Sequence, residues 1–374
     1  MNTETAIRTP YKEYNSTETL PVPVNGIVRH CVFQYVDFSE VPQYMCKVQF
    51  CDCMFLGCII PGDAGKYLDK SCLVFPRMGM IYKAFANCLY CGETLYDGYD
   101  PINDCGFEDC FDSKVYKDYI AKGKHADDIK ETLARSIHDH AMTDAMYELL
   151  DRYDERDVVA VMGGHAMKRT DESYRKVALI SKALTESGKL MVSGGGPGAM
   201  EATHFGAWMA GRTEAELDEA LGILSAAPTF RDEGWLKTAF RVRYKFPQEE
   251  YRSLGVPTWF YGHEPATPFA SDIAKYFDNS IREDGILSIA KGGVIFSPGA
   301  AGTLQEIFQD GAQNHYETFG YASPMVFLGV DYYTRQVPVY PFLTAMLEQG
   351  SYKNLLLSIT DDCEEVVENI CSFK

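Results

Sequence analysis

Three short apolar runs in the second half of the chain end in glycine and pass directly into a helical stretch. Val158–Met162 leads into Gly163-Gly164-His165, and 190–192 leads into Gly194-Gly195-Gly196-Pro197-Gly198. The run 293–297 leads into Pro298-Gly299-Ala300-Ala301-Gly302-Thr303. Runs apolar on every residue suit strands covered on both faces. A buried strand that hands on to a helix through a tight turn is the repeating step of a parallel sheet. That step constrains the fold more than any other feature of the chain.

The rest of this half continues the alternation. Helices are predicted at 173–187, 199–211, 302–316, 341–349 and 362–372, with strands at 256–261, 325–330 and 355–359. Thr267 as N-cap and Pro268 at the first helical position predict another helix running to Gly292. The expected fold class is α/β, a doubly wound parallel sheet of modified Rossmann type over 157–374. Ligands of such sheets sit beyond the carboxyl ends of the strands, and all three glycine turns fall there.

The first half has a different rhythm, and 374 residues suggest roughly two domains. Residues 1–125 are short apolar runs broken by Gly, Pro and Asp, read as a small, irregular, β-rich and cysteine-rich domain. A degenerate solenoid is the second reading. Phe50, Phe55 and Ile60 recur every fifth residue, Phe75, Met80, Phe85, Tyr90 and Leu95 keep the phase, and Cys53 and Cys58 stand two places earlier. Gly65 and Lys70 interrupt the series. Residues 126–156 form a helical bridge, with Ile129, Leu133, Ile137, Met142, Met146 and Leu149 at helical spacing. Within it, His138 and His140 point different ways on a helix and cannot chelate one ion, so they are read as polar surface or capping groups.

Composition excludes several classes. A net charge of −18 with no basic run argues against nucleic acid. No stretch approaches the ~20 apolar residues that span a bilayer. Residues 1–19 are polar, with no apolar core, so no secretory signal is expected and a cytoplasmic location is the default. Ten of the 12 cysteines precede residue 111. Without a secretion signal they are read as buried thiols, Cys88-x-x-Cys91 with Cys105 and Cys110 being the alternative zinc set. No metal is assigned.

Glycine lets main-chain N–H groups approach a ligand closely, and each turn opens a helix whose free N–H groups favour a phosphate. None of the turns is the G-x-G-x-x-G dinucleotide fingerprint, and no Walker lysine follows any of them. NAD chemistry and ATP hydrolysis are disfavoured accordingly.

Two segments resemble the paired motifs of the Lonely guy family, the nucleoside-5′-monophosphate phosphoribohydrolases. They are S-G-G-G-P-G-A-M-E (Ser193 to Glu201) and P-G-A-A-G-T-L-Q-E (Pro298 to Glu306). The second motif is usually P-G-G-x-G-T-x-x-E, and Ala300 here replaces its second glycine. V-M-G-G-H (Val161 to His165) is similar to the longer bacterial nucleotide nucleosidases of the same superfamily. The resemblance covers about 157–374. It implies hydrolysis of the N-glycosidic bond of a nucleoside monophosphate to free base and ribose 5-phosphate, without a cofactor. It gives Glu306 and Arg282 the catalytic roles. Gly194, Gly195, Gly196, Gly198, Met200, Glu201, Gly299, Ala300, Ala301, Gly302 and Thr303 become the phosphate and ribose site. Arg282 stands one residue further from Pro298 than the family spacing, which Glu283 occupies. The resemblance also implies a homodimer or larger homo-oligomer.

Cleaving a ribosyl C–N bond passes through an oxocarbenium-like state that a carboxylate stabilises while it activates water. Glu306, one turn inside the helix that would hold the phosphate, is placed for this. On periodicity alone Leu304, Ile307, Phe308 and Ala312 define that helix's buried face. Gly163, Gly164, His165, His263 and Glu264 are candidates for a base-side loop, with Trp259 and Phe260 as stacking rings. Gln313, Asn314 and His315 are read as a solvated helix end or a subunit contact. A non-catalytic nucleotide or molybdenum-cofactor carrier on the same fold is the alternative function.

Overall fold

The computed structural model describes residues 10–262 and 264–374. Residues 1–9, the start of the polar segment 1–19, and His263 lie outside the described residues. The chain divides into two compact units, one of residues 1–88 and 125–142, the other of 89–124 and 143–374. The helix Ile129–Leu150 contributes to both.

Among the described residues of the first unit, six three- or four-residue strands run parallel: β1 (Lys12–Tyr14), β2 (Ile27–Arg29), β3 (Cys31–Gln34), β4 (Gln49–Cys51), β5 (Met54–Leu56) and β6 (Leu73–Phe75). They form two ladders, β1-β3-β5-β6 and β2-β4. Tyr14, Phe33, Phe55 and Val74 fall in register, each about twenty residues beyond the last. The chain therefore winds as a coil, and the five-residue rhythm reports the solenoid. Corners recur in register too. His30 and Asp52 carry φ of 55° and 51°, and Tyr35 and Gly57 carry 53° and 63°. Phe33, Phe38, Phe50 and Phe55 are fully buried, with Phe33 and Phe55 stacked at 5.1 Å. The rhythm does not extend as far as the sequence suggests, because Phe75 is exposed and Tyr90 and Leu95 belong to the second unit. Also against expectation, His138 and Asp139 are buried, hydrogen-bonded to each other at 3.2 Å.

The second unit holds seven parallel strands: β7 (Val158–Met162), β8 (Leu190–Ser193), β9 (Ser253–Gly255), β10 (Asp272–Ile273), β11 (Val294–Phe296), β12 (Pro324–Leu328) and β13 (Leu356–Thr360). Their order is β10-β9-β8-β7-β11-β12-β13, a doubly wound α/β sheet. β7 through β12 are buried on every residue. In β7, β11 and β12 that burial is why the sequence reads as an apolar run, whereas β9 and β10 carry Ser253 and Asp272 and give no such signal. Helix Glu172–Glu186 packs against both Ala199–Trp208 and Cys363–Cys371, and Asn279–Ile289 packs against Ala301–His315.

The expected helix from Pro268 to Gly292 is not formed. Thr267 Oγ1 accepts the Phe269 N–H at 3.3 Å, a local turn, and Asp272–Ile273 pairs with β9 before a helix starts at Asn279. The strand expected at 256–261 lies earlier, at Ser253–Gly255, and within 256–261 Thr258 makes a single parallel bridge to Tyr276. Between β8 and β9 the expected helix at 199–211 is joined by two more, Glu214–Leu224 and Trp235–Lys245, over residues for which no element is predicted. Helix Ala301–His315 buries Thr303, Ile307, Asp310, Gly311 and Asn314, leaving Phe308 exposed. Phe33 fills the centre of the coil, so Phe33→Ala is expected to cost about 3–5 kcal/mol. Chemical denaturation followed by tyrosine and tryptophan fluorescence measures that loss.

Candidate functional site

Strand order reverses between β7 and β11, the position at which loops diverge and a doubly wound sheet opens a crevice. The turns leaving these two strands are stitched together. The Ser297 N–H donates to Met162 O at 2.8 Å, and the Gly164 N–H donates to Pro298 O at 3.1 Å. Contact is so close that a β-carbon on Gly163 would overlap Ser297 Oγ and Ala199. Above this seam lies a cleft of about 780 Å³.

The turn after β11 forms one wall. Tyr333 donates to the Ser297 carbonyl at 2.7 Å, Tyr332 donates to the Gly299 carbonyl, and Gly164 holds the carbonyl between them. With these three carbonyls tied back, Ala300, Ala301 and Gly302 stay open on the cleft at the start of helix Ala301–His315. The first-turn N–H groups of a helix have no intrahelical acceptor, and its dipole favours an anion there. Thr303 is buried behind, where a β-carbon on Gly299 would overlap its hydroxyl.

The turn after β8 plays a different part. Only its Gly194 and Met200 line the cleft. Gly195, Gly196, Gly198 and Glu201, implied as phosphate or ribose contacts, are buried behind the wall. Ser193 Oγ accepts the Gly195 N–H at 3.2 Å and is hydrogen-bonded to His204 Nε2 at 2.8 Å, while His204 Nδ1 meets Ser253 Oγ at 3.0 Å. Burial pushes the His204 pKa down to about 3, so this relay contains a neutral ring. Glu201 is fully buried and takes a two-pronged bond from Arg169 at 2.8 and 2.5 Å. Arg169 also donates to Ala227 O and Trp235 O. Glu201 thus ties helix Ala199–Trp208 to Trp235–Lys245, away from the cleft.

Arg282 reaches across from helix Asn279–Ile289. Its Nε donates to Val256 O at 3.1 Å and its Nη2 lies against Gly194, where a β-carbon would overlap it. Glu283 also lines the cleft, 3.9 Å from Arg282 Nη1. Glu306 stands half-buried on the same wall as the open helix start. Burial raises its pKa to about 7, the Arg282 charge opposing this and the Glu283 charge adding to it. At the cleft's far side His165 Nδ1 faces Glu264 Oε1 at 3.7 Å, and Tyr261 stands beside them. The cleft therefore brings Glu306, Arg282, Gly163, Gly164, His165, Glu264 and Gly299–Thr303 together.

Other candidates take structural roles. Asn314 Oδ1 accepts the Ser323 N–H at 2.7 Å, and His315 Nδ1 accepts the Lys353 N–H at 2.9 Å, so this helix end is internally bonded. Trp259 is fully buried and cannot stack on a base as it stands. Tyr332 and Tyr333 escaped the sequence reading. Their signal is an aromatic pair just after Gly329, where β12 ends on the same sheet edge.

No family model matches the chain, and no curated protein matches it. Among solved structures, the chain is similar to the molybdenum cofactor binding protein from the phototrophic bacterium Rippkaea orientalis. The match has 15% identity and a TM-score of 0.36, covering 57% of this chain and 95% of that one. No helix among the described residues is long and apolar enough to cross a membrane.

A carboxyl raised from 4.5 to about 7 holds a proton in the folded state that the unfolded chain has released. Its contribution to stability therefore falls as pH rises between those values and is flat above about 7. Glu306→Gln is expected to stabilise the protein at pH 8, by up to about 3 kcal/mol, with the gain vanishing towards pH 4.5. Thermal midpoints of both proteins across that range measure it.

Proposed function

We propose that the protein hydrolyses the N-glycosidic bond of a nucleoside 5′-monophosphate, releasing the free base and ribose 5-phosphate, as a divergent relative of the Lonely guy family. The observation that carries this reading is one cleft, at the strand-order reversal, holding an open helix start, a guanidinium and a carboxyl one turn along that helix. The three groups match the three demands of the reaction.

The 5′-phosphate binds at Ala300, Ala301 and Gly302, where N–H groups and the helix dipole supply positive potential without a lysine. That anchor lays the ribose along the first turn of the helix, beside Glu306, so binding at the phosphate orients the reacting carbon. As the C1′–N bond breaks, its electron pair leaves with the base and C1′ gains positive charge. The Glu306 carboxylate stabilises that charge and accepts a proton from the water whose oxygen adds to C1′; the departing base nitrogen takes up a proton from solvent, and Glu306 returns its own to solvent. Arg282 balances the negative charge gathered on phosphate, Glu283 and Glu306. His165, Glu264 and Tyr261 face the base end. No step calls for a metal or redox group.

Glu306 works as a carboxylate, so kcat is expected to rise with pH through about 7 and then level off. Glu306→Gln is expected to lower kcat by roughly 10²–10⁴-fold while nucleotide affinity stays within a few-fold. A panel of purine and pyrimidine monophosphates, assayed for ribose 5-phosphate, tests the assignment. Tight binding with no release from any of them would make the protein a carrier, and a fully active Glu306→Gln would remove that residue from the mechanism.

A further inference from the structure

The loop that carries Tyr261 and Glu264 to the cleft rests on helix Phe111–Lys122, which precedes the whole seven-stranded sheet in the chain. Its seat has three points. Asp112, buried, accepts the Trp259 Nε1–H at 2.8 Å and also bonds Lys275 Nζ at 2.6 Å. Lys275 is itself 1% exposed and lies 5.2 Å from the centre of a Trp259 ring. One turn along, the Tyr116 ring fills the space a side chain at Gly262 would need. Past the helix end, Lys124 Nζ donates to Phe260 O at 2.8 Å and stands 4.0 Å from the centre of the Phe260 ring. Residues 112, 124 and 116 thus meet residues 259, 260 and 262.

The loop's own backbone bonds are short-range or go to its other flank. The Gly262 N–H donates to Trp259 O at 3.1 Å, the Glu264 N–H to Tyr261 O at 2.9 Å, and the Trp259 N–H to Tyr276 O at 2.9 Å. Burying an Asp–Lys pair costs desolvation that the pair's attraction only partly offsets, so such pairs are poor sources of stability. What this one does is fix the height of the Trp259 indole, and with it the loop two residues on.

We infer that helix Phe111–Lys122 is a positioning element of the cleft, with Asp112 and Tyr116 as positioning residues that hold Glu264 opposite His165. The inference rests on the cleft being the reactive site. It gives a segment outside the alternating strand–helix fold a defined part in the chemistry. Displacing a cleft group by about an ångström costs on the order of 100-fold in rate, so the seat is read out in turnover.

Two measurements on the full chain test it. In hydrogen exchange, Tyr116→Ala is expected to speed exchange several-fold in peptides spanning 258–264 while β7, β8 and β11 keep their protection. Unchanged exchange in the loop would overturn the inference, whatever the protein catalyses. In kinetics, Gly262→Ala is expected to lower kcat by roughly 10- to 100-fold, because its methyl group collides with Tyr116. Adding Tyr116→Ala should return kcat to that of Tyr116→Ala alone. A double variant slower than Tyr116→Ala alone, carrying the Gly262→Ala loss on top of it, would overturn the coupling. This pair leaves the buried Asp112–Lys275 bond intact, so the outcome does not depend on disturbing it. A wild-type protein inactive on every nucleotide would count against the proposed reaction, and the exchange data would still settle the seat.

Discussion

The candidate cleft hangs on the pairing of β7 with β11. Val294, Ile295 and Phe296 lie opposite Ala160, Val161 and Met162, and from this pair the chain has wound outward in both directions. The loops above the two strands must therefore part, which opens the crevice. At the same time the bonds from Ser297 to Met162 and from Gly164 to Pro298 make the two turns one rigid floor. The helix just before β11 supplies Arg282 and the helix just after it supplies Glu306. A single strand thus sets the spacing of the guanidinium and the carboxyl, and the half-buried cleft raises the Glu306 pKa towards neutrality.

The two glycine-rich turns look alike in sequence and do different work. Around Gly195 and Gly198 the chain needs φ of 70° and 72°, and main chain from Val256 and Gly164 crowds in where side chains would stand. Those glycines serve packing, with the Ser193–His204–Ser253 relay beneath and the Glu201–Arg169 pair beside them. The turn at Gly299 keeps its helix start open to the cleft, and Tyr332 and Tyr333 hold its carbonyls. Counting glycines cannot separate these roles. Knowing which face of each turn is covered does.

How much could be read in advance follows from where the information lies. β7 was legible to the residue because five consecutive buried positions leave no other assignment. Helix Ala301–His315 was legible in extent, yet its inner face was misjudged. Asp310 and Asn314 are buried where an apolar pattern points elsewhere, and Phe308 is left outside. The segment 267–278 misled because a proline one place after a threonine suits a helix start and a local turn equally. Pairing with β9 and with Tyr90 decided it, and both are tertiary facts. The coil in the first unit was audible as a five-residue beat, whereas its roughly twenty-residue register emerges only when Phe33 meets Phe55. In the cleft, Glu306 and Arg282 were named by motif, while Tyr332, Tyr333 and Asp112 act across gaps of 33, 36 and 147 residues that no local pattern spans.

The proposed reaction depends on one placement: phosphate at the start of the helix at Ala301, and the sugar beside Glu306. A crystal structure with ribose 5-phosphate tests it most directly. The expected result is a phosphate within hydrogen-bond distance of the Ala301 or Gly302 N–H, with C1 beside the Glu306 carboxyl. A phosphate bound elsewhere on the protein, or seated there with the sugar turned away from Glu306, would contradict it.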